Sequence, residues 1–179
     1  AAKMMFMDTL GCGIAGTVYS EKEVAPVLAV AEGMGGKEEC TVLVSGKRDS
    51  WFNAILINGT FMHSIDYDDT RPSLSTHIGA VLVPAILAMS EMLHTSGKDA
   101  LLAAVLGYEV ISRIASSIMP SHYYYWHSTG TNGTFGGAAA GGKLLGLNAD
   151  QMEMALGIAA DQASGLISCI ASGDLTKSL

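Results

Sequence analysis

A chain of 179 residues, 49% hydrophobic with mean hydropathy +0.34, holds enough apolar material for one packed domain or part of one. Charged residues make up only 15%, against about 25% in ordinary soluble domains, so much of the surface is expected to be apolar and covered by a partner subunit or further domain. A net charge of -7 without any basic cluster argues against nucleic acid, and an anionic ligand would need positive charge gathered locally.

In chain order, Met4, Met5, Met7, Leu10 and Ile14 recur at helical spacing, which predicts a first helix with methionines filling the core and Gly11, Gly13 and Gly16 loosening its end. Ser20 with Glu23 three residues on predicts the capped start of a second helix, which stops at the glycines 33, 35 and 36. TVLVS, 41–45, is the one stretch that reads as extended, and a single strand makes no sheet. Asp49 and Ser50 are predicted caps of a helix that buries Trp51, Ile55, Met62 and Ile65. A loop, RPSLST, separates it from a helix over about 78–94. Another capped helix starts at Ser96–Asp99 and is apolar except for Glu109 and Arg113, an i,i+4 pair. After Pro120, the run SHYYYWH feeds a Gly/Ala-rich helix suited to close packing, and Asn148 caps a last one. The sum is an all-α, helical bundle-like domain without βαβ alternation.

The longest uncharged apolar run, 78–90, contains Pro84 and is shorter than the ~20 residues of a membrane span, so no membrane association is predicted. The start lacks the pattern of a signal peptide, and a cytoplasmic setting is expected, or a mitochondrial matrix in a eukaryote. Cys12, Cys40 and Cys169 are far apart with no C-x-x-C pair, which reads as three reduced core thiols rather than a metal site.

The ionisable groups concentrate in HSIDYDDTRPSLSTH, 63–77. Asp66, Asp68, Asp69 and Thr70 follow a helix C-terminus, where the dipole disfavours negative charge; like charges so close should raise at least one carboxyl pKa, as in a general acid or base. A solvated acidic turn is the plainer reading. Arg71 is adjacent and His77 a short loop away. His127 follows aromatic residues expected to strip its water, and Ser128, Thr129 and the glycines after it offer hydroxyls and backbone N–H groups at a helix N-terminus, a natural seat for a carboxylate. His63 and Asp66, one turn apart, read as a hydrogen-bonded pair rather than metal ligands. His94 and His122 read as structural, and Lys177 as a surface lysine. D-x-D-D-T also occurs in class II terpene cyclases, but 7% aromatic residues would not line a carbocation pocket.

NGTFMHSIDYDDT, THIGA, WHSTGTNGTFGGAAAGGKLLGL, ALGIAADQASGL and TKSL, in this order, resemble the MmgE/PrpD family of 2-methylcitrate dehydratases, cis-aconitate decarboxylases and iminodisuccinate epimerases. The resemblance implies that residues 1–179 are an incomplete piece of a large helical domain, with the rest of it and a smaller α/β domain absent from this chain. It implies a homodimer, no cofactor and no metal. It places Asp66, Thr70, His77, His127 and Lys177 in an active site, with the Thr70–His77 loop one residue longer than usual. Lys177 thereby becomes a buried cation, and a further lysine and tyrosine would come from beyond this segment, so the segment alone should be inactive.

The chemistry implied is proton abstraction next to a carboxylate of a di- or tricarboxylic acid. His77 and His127 would be acid and base, Asp66 would orient a histidine, and Thr70, Arg71, Ser128, Thr129 and Lys177 would hold carboxylates. The leading expectation is a metal-independent lyase dehydrating 2-methylcitrate, in propionate catabolism. The alternatives are a decarboxylase or epimerase of the same family, or a non-catalytic helical scaffold.

Overall fold

A first helix, α1 (Ala2–Tyr19), runs on through the glycines expected to loosen it, and two of them, Gly13 and Gly16, are where another helix crosses. The structure, a computed structural model, describes residues 1–173 and 175–178, with the side chains of Glu23 and Leu175 left aside. After α1 come α2 (Glu21–Met34), a hairpin of β1 (Cys40–Thr41) and β2 (Arg48–Asp49), and α3 (Trp51–His63). A second small ladder, β3 (Thr70–Arg71) and β4 (Thr76–His77), precedes α4 (Gly79–Leu93) and α5 (Gly97–Ile118). The chain continues with α6 (Ser128–Leu144), α7 (Ala149–Gln162), the short α8 (Ser168–Ser172) and a terminal 3-10 turn, Leu175–Ser178.

Gly16 explains the α1–α3 crossing: a Cβ added there would lie 2.1 Å from the Phe61 carbonyl oxygen, so only glycine allows the backbones to meet. This contact turns α1 so that Thr9, Cys12, Gly13 and Gly16 face inward, while Met4, Met7 and Ile14 are exposed. The methionine stripe is therefore a surface feature, contrary to expectation. α5 and α6 cross as closely, with Gly107 and Gly136 back to back: a Cβ on either would lie 3.2–3.3 Å from the other's carbonyl oxygen. Around that crossing, Ile78, Leu82 and Ile86 pack on Ala103, Ala104, Ile111 and Ala140. Each fully buried aliphatic side chain of this kind contributes about 1.5–3 kcal/mol. A second cluster joins Val24, Val27 and Ala31 of α2 to Ile57 and Phe61 of α3.

Three caps form as expected. Ser50 accepts from the Asn53 N–H at 3.3 Å and Ser96 from that of Asp99 at 3.1 Å, while Asn148 and Gln151 form a reciprocal capping box. Ser20 caps α2 without a side-chain bond, and the Glu23 half of that expected box lies outside the described residues. Trp51 is at the surface rather than buried. Of the segment 41–45 expected to be extended, only Thr41 is in a strand, paired in register Cys40↔Asp49 and Thr41↔Arg48; Leu43–Ser45 form the turn, with Val44 at φ 62° and Gly46 reversing the chain.

By length and composition α5 would suit a membrane crossing, which the uncharged-run criterion passed over. One face of it packs on α4 and α6 through Ala103, Ala104, Gly107 and Ile111, and the other exposes Leu102, Val105, Glu109 and Arg113.

Candidate active site

The end of α3 and the turn after it build one wall of a cavity. The Asp66 N–H closes a turn onto the His63 carbonyl at 3.0 Å, and Asp66 takes φ 51°, a left-handed conformation uncommon outside glycine. That reversal tucks Asp68 beneath His63, with Asp68 Oδ1 2.8 Å from His63 Nδ1 and both side chains almost fully buried. The Thr70–His77 loop brings His77 to the same wall. A 3-10 turn at Pro72–Leu74 followed by Ser75 at φ 47° folds it back, so β4 pairs with β3 in register Thr70↔His77. The His77 N–H donates to Thr129 Oγ1 at 3.0 Å, Nδ1 stands 3.3 Å from Asp68 Oδ2, and Nε2 stands 3.5 Å from Asp66 Oδ1. The His77–Asp68 approach has ion-pair distance but poor hydrogen-bond angles. Lys177 reaches in from the terminal turn, ion-paired to Asp66 and with Nζ 3.4 Å from His63 Nε2.

Burial alone would raise the Asp68 carboxyl, but its contacts with His63 and His77 outweigh this and hold it at about 2. Burial also pushes Asp66 up, against a stronger combined pull from Lys177, His77 and His63, so Asp66 lies below the usual carboxylate range. Contact with Asp68 raises His77, more than burial lowers it. Asp69, next in sequence, faces the opposite way. It accepts from the Gly79 N–H at 2.9 Å and the Tyr108 hydroxyl at 3.0 Å, tying the start of α4 to α5, and burial raises its pKa.

The opposite wall is His127 and the first turn of α6. The His127 N–H donates to the Gly165 carbonyl at 2.9 Å, and the Ile167 N–H to the Tyr125 carbonyl at 3.0 Å, stitching the segment after α7 over the histidine. Thr131 Oγ1 adds bonds to the His127 and Ser164 carbonyls. This segment, rather than the neighbouring aromatics, dries His127: Tyr124, Tyr125 and Trp126 are largely exposed. Burial first, then the positive charge of Lys177, lowers the His127 imidazole to about 4, so it is neutral at neutral pH. Among the described residues its ring has no hydrogen-bond partner, which leaves it open to a ligand.

Between the walls lies a cavity of about 620 Å³ whose polar lining includes His63, His127, Thr129 and Lys177, with Ile55, Leu56, Val81 and Pro84 on its apolar side. Asp66, Asp68 and His77 stand directly behind His63 and Lys177. Lys177 is thus an inward-facing cation, its side chain 18% exposed, and not the surface lysine its local sequence suggests. Three residues expected to hold carboxylates do not line this cavity. Arg71 points into a shallow groove beside Glu109 and Arg113, Thr70 is exposed on the face of the ladder that it shares with His77, and Ser128 is buried against Met119. Cys169 lines the cavity rather than the core. His63 pairs with Asp68, not Asp66. Donor atoms of His63, Asp66, Asp68 and His77 lie within 4.8 Å of one another, but the Lys177 ammonium already sits against two of the four, so we read an ion-pair ring and not a metal centre. His94 ends α4 in a left-handed conformation and His122 bonds Thr131, both structural as expected.

His63 and Asp68 are the site residues the sequence reading missed. The signal was there in the D-x-D-D spacing, but which acid turns inward depends on the left-handed residue at 66.

The fold and site together define an all-helical domain holding imidazoles of opposed basicity, an ammonium and carboxylates about one cavity. The sequence pattern of the MmgE/PrpD N-terminal domain matches residues 1–178, and the chain belongs to the MmgE/PrpD family. Among similar proteins are a cis-aconitate decarboxylase of Aspergillus terreus, 36% identical over 176 residues covering 93% of this chain and 35% of that protein, and the human cis-aconitate decarboxylase, 33% identical over 175 residues covering 90% and 34%. The mouse cis-aconitate decarboxylase is 32% identical over 179 residues. The chain therefore spans about a third of the length of the curated relatives it matches.

Proposed function

We propose that the protein carrying this segment is a lyase that decarboxylates cis-aconitate or a similar unsaturated tricarboxylate. The observation that carries this reading is the single cavity where His127, His63 and Lys177 meet, backed by Asp66, Asp68 and His77. A carboxylate of the substrate pairs with Lys177 and with the Thr129 hydroxyl, whose oxygen is already taken by the His77 N–H and whose hydrogen is left to donate. Breaking the carbon–carboxylate bond releases carbon dioxide and leaves its electron pair delocalised over the double bond and a remaining carboxylate. Lys177, whose ammonium lines the cavity, gives the proton that quenches this carbanion, and His77, held as a cation by Asp68 behind it, restores that proton through Asp66, so one proton is consumed for each carbon dioxide released. His127, neutral, takes no proton in this reaction: its ring is left to hydrogen-bond the remaining carboxylate as charge develops there, and it is the group able to take a proton from carbon where the reaction is dehydration.

Dehydration of 2-methylcitrate would use the same groups, His127 removing the proton and Lys177, resupplied by His77, protonating the departing hydroxide. The relatives named for decarboxylation move our leading reading from that expectation to decarboxylation. The full-length protein should be offered cis-aconitate and 2-methylcitrate separately and the products followed by proton NMR. Loss of carbon dioxide from cis-aconitate is expected; dehydration of 2-methylcitrate alone, or no turnover of either, overturns the proposal. We extend it to a homodimer, since exposed apolar side chains such as Val105, Met154 and Ile158 need cover; sedimentation as a monomer at micromolar concentration contradicts that extension.

A further inference from the structure

The groups behind the cavity form a closed ring. Lys177 contacts His63 Nε2 at 3.4 Å, His63 Nδ1 contacts Asp68 Oδ1 at 2.8 Å, and Asp68 Oδ2 faces His77 Nδ1 at 3.3 Å. His77 Nε2 faces Asp66 Oδ1 at 3.5 Å, and Asp66 returns to Lys177. The partners decide the protons. An ammonium has only hydrogens to offer, so the His63 Nε2 facing Lys177 must be a bare lone pair, and His63 Nδ1 must carry the hydrogen that the Asp68 carboxylate accepts. His77 instead has a carboxylate opposite each ring nitrogen, at ion-pair rather than hydrogen-bond geometry, and two negative charges flanking one ring favour its cation. Two carboxylates, one ammonium and one imidazolium then leave the ring neutral, an arrangement its burial favours.

We propose that His63 and Asp68 are positioning residues: His63, fixed as the neutral Nδ1–H tautomer, couples the Lys177 ammonium to Asp68, and Asp68 holds His77 as the one imidazolium of the ring. This role rests on the lyase reading above, but the tautomers do not. His63 lines the cavity without needing to react, and Asp68 has no access to it except through the two imidazoles. The groups facing His77 are His63 of α3 with its ring centre 4.8 Å away, Asp66 and Asp68 of the turn, Lys177 of the terminal turn, and His127 and Thr129 of α6. Of these, the two carboxylates stabilise its charge and the Lys177 ammonium opposes it.

Nitrogen-15 NMR of histidine in the full-length protein tests the assignment without substrate or mutation. At pH 7 the expected spectrum has one neutral Nδ1–H imidazole, His63, and one imidazolium, His77, each identified by loss of its signal in His63→Gln or His77→Gln. A cationic or Nε2–H His63, or a neutral His77, overturns the proposal. Asp68→Asn should then lower the His77 titration midpoint by at least one pH unit and cut kcat about 10- to 100-fold with less than threefold change in KM. Asp68→Glu should recover part of both losses. An unchanged His77 midpoint in Asp68→Asn also overturns it. If the NMR result holds while no tricarboxylate is turned over, the ring stands and the lyase reading falls.

Discussion

The two walls of the cavity are each built around a histidine, His77 behind the first and His127 on the second, and they drive the pair in opposite directions. On the wall built by residues 63–77, carboxylates surround His77 and favour its cation; on the wall built around residue 127, backbone and a neighbouring cation surround His127 and disfavour it. One residue type is thereby held charged on one side and neutral on the other at one pH, which is how environment separates acid from base. The difference comes from how each wall is made. The first is a turn whose side chains face one another, and the second is a helix start covered by a strand-like segment whose contacts to it run largely through the backbone.

The sharpest way to break this contrast is to remove the base side. In the full-length protein His127→Ala should lower kcat on the productive substrate about 10²- to 10⁴-fold while leaving the circular dichroism spectrum intact, the range for a lost donor to developing charge or a lost general base. Retention of more than a tenth of the activity would mean that His127 touches no reacting group. Removing the cation the walls share is next. Lys177→Met should cost about 10²- to 10³-fold in kcat/KM, as for a lost electrostatic contact to developing charge. The same variant should raise the His127 titration midpoint, because Lys177 is one of the charges holding it down. A midpoint that stays put would separate the two groups.

Acid should dismantle the walls in two different windows. His127 is buried neutral, with a folded pKa of about 4 against ~6.5 unfolded, so the unfolded chain binds the extra proton between those values. About 3 kcal/mol of stability present above pH 6.5 is therefore lost as pH falls toward 4. Asp68 is depressed to about 2 against ~3.9 unfolded, so about 2 kcal/mol present above pH 4 is lost as pH falls to 2. His77 runs the other way: its raised pKa adds stability below pH 6.5 that disappears as pH climbs through its folded value. Thermal midpoints across pH, compared with His127→Gln, should show the upper window vanish in the variant and the lower one persist.

How much of this was legible in the sequence differs between the walls. The helices, their caps at Ser50, Ser96 and Asn148, and the pairing of an acidic turn with His77 and His127 follow from period, capping chemistry and the resemblance of long motifs. Orientation did not follow. Met4 and Met7 sit at helical spacing, but only the close approach of Gly16 to Phe61 fixes which face of α1 turns inward. Asp66, Asp68 and Asp69 look alike in sequence, yet the left-handed residue at 66 sends them to the cavity edge, the ion ring and the α4–α5 junction respectively. Such choices depend on contacts made from more than fifty residues away, such as Lys177 on Asp66 and Thr129 on His77, and no local pattern encodes them.

Arg71 gives the smallest expected effect and the strictest check on which side of the turn matters. By composition it is among the few cations available to a polyanion, and its neighbours Thr70 and His77 are part of the site's framework. The β3–β4 pairing nevertheless alternates side chains, so with His77 turned to the ring, Arg71 lies across the ladder beside Glu109 and Arg113. Its guanidinium is solvated there, and a solvated charge outside the cavity contributes little to binding, all the more so at physiological salt. Arg71→Ala should accordingly leave kcat/KM within about twofold in the full-length protein at 0.15 M salt. A tenfold rise in KM would show that the carboxylate reaches past Thr129 to the far side of the ladder, and the boundary drawn between the ion ring and the outer groove would have to move.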